Sequence, residues 1–318
     1  MKKYGMMLAL AAGVLLAASC GKTIDDPQQT GFTLTATIAN PALETKTTYT
    51  DPNDGTLSVG WAASETMSLL ICDPVSGIVK EYNLTSSGSA GDKNRDFSTS
   101  GTIDALTGSQ YYLCVYPALS SSSILKYVNT DKKLVYKPYD SDGYLPVSDG
   151  GAINLNETDL MIGKPVITGT TASVQLERQI GVLKVILKVP TEMKGIQLQL
   201  ACLLAPSTSG FVSKMEYDLT TAPASFASSD DLGASIRAQY IGPLTIPESC
   251  KITIYFPLPA SSLPAGKTYS ILLGKSISDG ATYDLTSKAV VIETGKMATL
   301  SIDCSSKGGW SFTGTSWW

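Results

Sequence analysis

The sequence predicts an all-β protein made of two tandem β-sandwich domains with mainly antiparallel strands. Its regular segments are short stretches in which apolar residues alternate with polar ones, as in half-buried strands. Turn formers separate these stretches, since the chain has 28 glycines and 16 prolines, and only 16% of its residues are charged. This composition favours strands and turns over helices. A chain of 318 residues also exceeds one average domain, which predicts two.

The amino-terminal segment has the pattern of a secretory signal. Lys2 and Lys3 form a charged start, and residues 6–18 form an apolar run that only Gly13 interrupts. This run is shorter than the roughly 20 residues that a permanent membrane-spanning helix needs. We therefore expect residues 1–19 to be cleaved off and the rest of the chain to lie outside the cytoplasm.

A cysteine follows the small residues at the end of this signal. Residues 16–20 read Leu-Ala-Ala-Ser-Cys and resemble a bacterial lipobox, whose cysteine is lipidated. Acyl chains on Cys20 would anchor the protein in a membrane, since each buried methylene contributes about 0.8 kcal/mol. The polar residues 20–31 would then form a flexible tether. The alternative is an ordinary signal peptide that is cut before a structural cysteine.

The first strand of the folded body is predicted at residues 32–38. Its apolar face carries Phe32, Leu34, Ala36 and Ile38, and threonines occupy the positions between them. A strand with this pattern buries one face and exposes the other. The strongest turn signal of the chain, Asp-Pro-Asn-Asp-Gly, follows at residues 51–55.

Further strands are predicted along the chain, each bounded by turn-forming residues. They cover residues 57–61, 67–72, 111–116, 133–136, 172–176, 180–189, 196–204, 252–258, 269–274, 289–292 and 297–302. A short helix is the alternative at residues 180–189. Residues 293–296, Glu-Thr-Gly-Lys, predict a hairpin between the last two strands. Residues 159–165 indicate a junction, so we predict one domain at residues 32–165 and another at residues 166–318.

The composition argues against an enzyme and against a nucleic-acid-binding protein. The chain has no histidine, which excludes serine-histidine triads and histidine zinc sites. Its formal net charge is −4 and its lysines and arginines are scattered, so nucleic acid is not an expected partner. Carboxylate pairs such as Asp140 with Asp142 and Asp230 with Asp231 lie in turns. We expect neither catalysis nor a cofactor.

Neither a metal site nor a disulfide framework is predicted. Asp51, Asn53 and Asp54 have oxygen ligands suited to calcium, but no complete loop of such ligands follows. The cysteines after Cys20 match no zinc or redox spacing. They are Cys72, Cys114, Cys202, Cys250 and Cys304. We interpret most of them as small buried hydrophobic residues, and one disulfide stays open as an alternative.

Several segments follow one another in the order of a known family. The lipobox leads into a Phe-Thr-Leu-Thr-Ala strand and then into Glu-Thr-Lys-Thr-Thr-Tyr at residues 44–49. Residues 61–69 contain a tryptophan, a short turn, an acidic residue and a strand. An Asp-Leu-Met motif, an apolar strand and a Gly-Lys turn follow at residues 159–161, 179–188 and 294–300. Over essentially the whole mature chain, this order resembles the fimbrillin-like (Mfa-like, type V pilin) lipoproteins of anaerobic gut and oral bacteria.

The resemblance implies two transthyretin-like β-sandwich domains and assembly of a fimbrium by donor-strand exchange. In such pilins the lipoprotein reaches the outer membrane, a protease removes the first strand, and another subunit donates a strand to the empty groove. The removable strand here would carry Phe32, Leu34, Ala36 and Ile38. The expected partners are other pilin subunits, outer-membrane lipid through acylated Cys20, and a host protein or glycan.

Lys46 is the predicted site of the cut. It is the only basic residue between Lys22 and Lys80. The best-known members of the family are cut after an arginine, and this chain has no arginine before Arg95. Without a cut the first strand would stay in place, which would make the protein a membrane-retained anchor or a pilus-associated lipoprotein.

Residues 310–318 form a candidate donor strand. Trp310, Phe312 and Trp318 fall on alternating positions and would fill pockets in a neighbour's groove. One alternative is an ordinary last strand of the second domain. Another is a tip subunit, which accepts a strand and donates none.

The competing function is a surface glycan-binding lipoprotein of the β-sandwich class. Its sugar-stacking residues would be Trp61, Trp310, Trp317 and Trp318. Tryptophan in a strand belongs more often to the core than to a sugar platform. Two coplanar aromatic side chains exposed in one groove would favour this function.

Overall fold

Stretches of alternating apolar and polar residues form nearly all regular structure in this protein. The computed structural model describes residues 31–39, 61, 63–89, 92–122, 124–138, 144–147, 158–204, 211–212, 214–221, 226–228, 232–233, 235–263, 268–274, 280–286 and 290–305. The regular elements of these residues are β-strands and a 3-10 turn at Thr191–Met193, and Thr158 is a single helical residue among those described. Most strand pairs are antiparallel, and three are parallel. The predicted all-β class with mainly antiparallel strands is confirmed.

The strands are numbered in chain order. Those up to residue 178 are β1 (Phe32–Ile38), β2 (Ser64–Asp73), β3 (Gly77–Ser87), β4 (Asn94–Thr99), β5 (Tyr111–Tyr116), β6 (Leu125–Val128), β7 (Lys133–Tyr136), β8 (Tyr144–Val147), β9 (Met161–Gly163), β10 (Val166–Thr168) and β11 (Thr171–Arg178). Those that follow are β12 (Gly181–Lys188), β13 (Gln197–Leu204), β14 (Phe211–Val212), β15 (Met215–Asp218), β16 (Ala227–Ser228), β17 (Leu232–Gly233), β18 (Ser235–Thr245), β19 (Lys251–Leu258), β20 (Ser261–Leu263), β21 (Thr268–Gly274), β22 (Gly280–Thr286), β23 (Val290–Ile292) and β24 (Met297–Asp303). At residues 180–189 the chain is therefore a strand and not a helix.

The first sheet closes on itself through β1. Its strand order is β1-β4-β3-β2-β5-β9-β11, β11 pairs in turn with β1, and β10 adds to β11. β1 runs antiparallel to β4 and parallel to β11. Because both edges of β1 are paired, this single strand completes a ring of hydrogen-bonded strands.

Two hydrophobic cores lie on opposite faces of this sheet. Six consecutive residues of β2, 67–72, and four of β5, 113–116, are buried, although successive side chains of a strand point to opposite faces. Met67 and Tyr116 belong to the core inside the ring, together with the buried face of β1. Leu70 and Leu113 belong to a second core, which the sheet β16-β15-β7-β6 also lines. The two central strands of the ring therefore have no solvent-facing side.

A second pair of sheets packs around a core of its own. The sheets β19-β12-β24 and β22-β21-β13-β18-β8 share a third hydrophobic core. β12 contributes Leu183, Val185 and Leu187 to it, and Ile254 and Ile271 come from β19 and β21. The β-branched content of these strands suits the pleated, buried surface that they form.

Strands from the two predicted domains pair with each other. β11, which follows residue 165, pairs with β1 and β9, which precede it. β7 pairs with β15, and β8 pairs with β18. The division after residue 165 stays a prediction, and so do the two transthyretin-like domains.

The predicted hairpin at residues 293–296 is wrong. A turn does form there, because the Lys296 N–H donates to the Glu293 carbonyl at 3.1 Å and Gly295 has a φ of 71°. However, β23 pairs with β20, and β24 runs parallel to β12. The turn residues reverse the chain, but the sheets on either side decide which strands pair.

Within the described residues, no helix has both the length and the apolar character needed to cross a bilayer. Residues 1–30 lie outside the described part of the chain. The signal peptide, the lipidation of Cys20 and the tether at residues 20–31 therefore stay predictions.

A buried ion pair joins β11 to the segment that precedes β9. Nε and Nη2 of Arg178 donate to the two carboxylate oxygens of Asp159, each at 2.7 Å. The two side chains are 3% and 4% exposed. Leu160 and Met161, the other residues of the predicted junction motif, belong to the cores on the two faces of the sheet. The motif therefore fixes the backbone at the boundary between these two cores.

Replacing Asp159 by asparagine should lower the free energy of unfolding by about 3–5 kcal/mol, because the buried Arg178 charge would lose its pairing with the Asp159 carboxylate. The change is measured as the urea midpoint, followed by circular dichroism. Asp104→Asn is the matched control, because Asp104 pairs with Lys80 at the surface, where the side chains are 54% and 47% exposed. The control should leave the midpoint unchanged. Equal shifts in both variants would contradict a stabilising role for the buried pair.

Candidate functional site

The space that β1 fills between β4 and β11 is the candidate functional site, here called the β1 slot. β1 is paired with β4 from Phe32 to Thr37 and with β11 from Thr33 to Ile38. The Thr33 N–H donates to the Thr170 carbonyl at 3.1 Å, and the Ala39 N–H donates to the Leu176 carbonyl at 2.7 Å. The backbone of β1 thus satisfies strand edges on both of its sides.

The inward face of β1 fills the ring. Leu34 and Ala36 are 0% exposed, and Phe32 is nearly as deeply buried. Leu34 lies opposite Phe97 of β4, and Ile38 lies opposite Leu176 of β11. Burial of a phenylalanine and a leucine side chain together contributes about 3–6 kcal/mol. The alternation in the sequence therefore predicted both the strand and its buried face.

Arg95 lies on the inward face of β4, directly opposite Ala36 of β1. Its side chain is only 4% exposed. Nη2 of Arg95 donates a hydrogen bond to the carbonyl oxygen of Ser89, and the Asp92 carboxylate lies 3.7 Å away. The guanidinium group of Arg95 therefore lies against residues 88–92, which follow β3.

Trp61 packs against the residues that face β1. It is 0% exposed and makes edge-to-face contacts with Phe97 and Tyr116, at centroid distances of 4.9 and 5.5 Å. Its indole N–H donates to the Lys93 carbonyl at 3.2 Å. Trp61 is thus a core residue, so its assignment as a sugar-stacking residue is wrong. Trp310, Trp317 and Trp318 lie outside the described residues.

The outward face of β1 is polar. Thr35 and Thr37 are exposed, and the Thr35 hydroxyl donates to the Asp96 carboxylate on β4 at 2.6 Å. Such cross-strand pairs help to fix the register of two strands. The face carries no large apolar side chain, as the sequence predicts.

A second buried polar contact lies inside the ring. The Tyr116 hydroxyl donates to the Glu65 carboxylate at 2.7 Å, and both residues are buried. Burial, and to a lesser extent the Glu65 carboxylate, raise the pKa of Tyr116 well above its ordinary value. Tyr116 therefore stays a hydrogen-bond donor at physiological pH, which keeps the contact satisfied.

The described residues contain no cluster of three or more cysteine, aspartate or glutamate side chains that could hold a metal ion. An open cleft of about 460 Å³ lies between β3 and β6. Among the described residues that line the cleft, Tyr127 is the single aromatic one. These residues therefore do not offer two aromatic faces to a sugar. The candidate carboxylates Asp140, Asp142, Asp230 and Asp231 lie outside the described residues.

The cysteines after Cys20 are buried, and none is joined to another by a disulfide bond. Cys72 lies in the core between the two sheets, and Cys114 lies inside the ring. Burial raises the pKa of Cys72 to about 12 and raises that of Cys114 further still. Their burial confirms the interpretation of these cysteines as small hydrophobic residues. A buried neutral thiol is also a poor nucleophile.

The site brings together only part of what the sequence predicts. Phe32, Leu34, Ala36 and Ile38 lie on the face of β1 that points into the ring. The lipidation site Cys20, the cleavage site Lys46 and the donor residues Trp310, Phe312 and Trp318 lie outside the described residues and stay predictions. Sequence reasoning missed Arg95, since arginine on an inward strand face gives no apolar alternation.

Comparison with known proteins gives structural similarities only. No protein-family model matches the chain, and no curated protein matches it. A solved structure from Bacteroides ovatus, described as a proposed cell adhesion protein, has 10% identity and a TM-score of 0.49, over 85% of this chain and 91% of that one. A proposed adhesin, also from Bacteroides ovatus, has 13% identity and a TM-score of 0.40, over 92% and 94%.

The fimbrial anchor protein Mfa2 of Porphyromonas gingivalis is also similar. It has 10% identity and a TM-score of 0.31, over 77% of this chain and 78% of that one.

Leu34→Ala should lower the free energy of unfolding by about 2–5 kcal/mol, because it opens a cavity in the ring. Thr37→Ala, on the outward face of the same strand, should change it by no more than about 0.5 kcal/mol. Both changes in the free energy of unfolding are to be measured from denaturant midpoints at constant temperature. Similar losses in both variants would show that the packing of β1 is not what stabilises the ring.

Proposed function

We propose that this chain is a surface lipoprotein of the fimbrial class, either a type V pilus subunit or a pilus-associated protein, with a role in cell adhesion. It assembles by proteolytic removal of β1 and acceptance of a strand from another subunit. The observation that supports this most is the double pairing of β1, whose loss opens two strand edges and one apolar groove at once. The proposal also includes two transthyretin-like domains and an outer-membrane anchor at acylated Cys20.

Removal of β1 would leave two strand edges and an apolar groove without their partners. The backbone N–H and C=O groups along β4 and β11 would lose their partners, and Phe97, Val174 and Leu176 would line an open groove. Unpaired strand edges next to an apolar groove bind extended peptides by adding a strand. A donated strand with large apolar side chains on one face restores both kinds of contact.

Cutting the chain is the step that permits exchange. While β1 is joined to β2 through residues 39–63, it rebinds as an intramolecular partner at a high effective concentration. After a cut at Lys46, the strand stays on the peptide that carries acylated Cys20 and is no longer joined to the folded body. A donor strand attached to another subunit then competes for the same groove.

The donor in this proposal is the segment that contains Trp310, Phe312 and Trp318. If no cut occurs, β1 keeps the slot closed, and the protein acts as an anchor or a pilus-associated lipoprotein on the outer membrane. The polymerising subunit and the uncut anchor differ in the amino terminus of the mature chain. The position of that terminus therefore distinguishes the two roles.

Mass spectrometry of the protein recovered from the cell surface should find a terminus directly after Lys46, without acyl mass, in the polymeric fraction. Lys46→Gln should block the cut, retain the acylated Cys20 terminus and abolish polymers. Lys80→Gln is the matched control, because Lys80 is the next lysine along the chain and lies beyond β1 in β3. Polymers built from subunits that retain residues 20–46 would contradict strand removal.

A further inference from the structure

The cleft of about 460 Å³ between β3 and β6 lies where the ring meets the sheet β16-β15-β7-β6. Small-molecule sites commonly occupy about 300–1,000 Å³, so the cleft is large enough for one. The aliphatic side chains of Ile78, Leu119 and Leu125 line it, together with one tyrosine and three polar residues. This mixture of apolar surface with a few polar groups is the lining that small-molecule sites have.

The tyrosine of the cleft, Tyr127, is fixed at its hydroxyl end. The Ile78 N–H donates to the Tyr127 hydroxyl at 3.2 Å, and that hydroxyl donates to the Asn129 side-chain oxygen at 3.2 Å. A Cβ atom added to Gly77 would stand 2.0 Å from the same hydroxyl, so a side chain there would displace it. The aromatic ring is thus held in one place before any ligand arrives, which lowers the entropy cost of stacking a ligand on it.

A buried serine positions groups on both sides of the cleft. Ser68 is 0% exposed, and its hydroxyl donates to the Glu81 carboxylate at 2.6 Å. The same hydroxyl accepts from the Leu119 N–H at 2.9 Å. A carboxylate has about four acceptor sites, so Glu81 keeps acceptor capacity for a ligand after this one bond is made.

The cleft also contains one charge of each sign. Glu81 and Lys126 both line it, and within the described part of the chain neither belongs to an ion pair. One group accepts hydrogen bonds and the other donates them. A ligand rich in hydroxyl groups suits both, because each hydroxyl can donate and accept.

An extended peptide fits this cleft less well. β6 is at the edge of its sheet, but it has only four residues. The Ser122 hydroxyl accepts from the N–H groups of Ile124 and Leu125, at 3.2 and 3.0 Å, so the start of this edge is already capped. Short, capped edges are poor sites for strand addition. A sugar chain stacked along two aromatic rings does not fit either, whereas a single sugar ring needs only the ring of Tyr127.

We propose that the cleft between β3 and β6 binds one neutral sugar ring, whose apolar face lies on the Tyr127 ring and whose hydroxyl groups bond to Glu81 and Lys126. This inference goes beyond the proposed function and does not depend on it, because the β1 slot lies between β4 and β11. The protein binds such a ligand whether β1 is cut off or not.

The first test measures binding of the full chain to the methyl pyranosides of glucose, galactose, mannose and N-acetylglucosamine by saturation-transfer NMR titration. At least one should bind with a Kd on the order of 1–10 mM, since one small ring makes few contacts. The uronic acid form of the sugar that binds best should bind no more tightly, because its carboxylate meets Glu81. Failure of all four neutral glycosides to bind, or tighter binding of the uronic acid, would overturn the inference.

The second test places the ligand in the cleft. Ser120→Leu narrows the cleft from its exposed rim and should weaken binding at least tenfold. Ser121→Leu is the matched control, since Ser121 is the adjacent exposed serine and does not line the cleft. Tyr127→Leu should weaken binding at least tenfold, and Glu81→Gln, at an exposed residue, tests the same site if Tyr127→Leu does not fold. Equal Kd values for Ser120→Leu and Ser121→Leu, or a Glu81→Gln variant that binds like the wild type, would overturn the inference.

Discussion

The pairing of β1 along both of its edges is the constraint on which the first half of the structure depends. An internal strand of a sheet satisfies two neighbours, and here those neighbours are β4 and β11, which the chain reaches about 60 and 140 residues later. The ring core, with Trp61 and Phe97 inside it, is closed only when this strand is present. The same contacts that stabilise the fold therefore define the groove that β1 occupies.

Two arginine side chains on the strands that flank β1 are buried. The level of Leu34 is lined by apolar groups, whereas Arg95 lies at the level of Ala36. Arg178 follows Leu176 on the inward face of β11 and is held by Asp159. Buried charged groups tolerate few arrangements, because each needs its hydrogen-bond partners in place.

The sequence predicts those strands whose own residues show the pattern. β1, β5 and β7 lie at the predicted residues, because their apolar alternation or apolar runs are local signals. β4 was missed, since its six residues read Asn-Arg-Asp-Phe-Ser-Thr and only Phe97 is apolar. Its strand character comes from pairing with β1, which is a tertiary effect. Half of the β1 slot could thus be found from sequence, and the half that contains Arg95 could not.

Hydrogen–deuterium exchange of the cut protein, before and after β1 is washed from the slot, tests the central claim most directly. If β1 covers the edges of β4 and β11, the amides of Asn94–Thr99 and Thr171–Arg178 should exchange much faster once it is gone. The amides of β12 and β19, in the other pair of sheets, should keep their protection. Unchanged exchange in β4 and β11 after the loss of β1 would contradict the account.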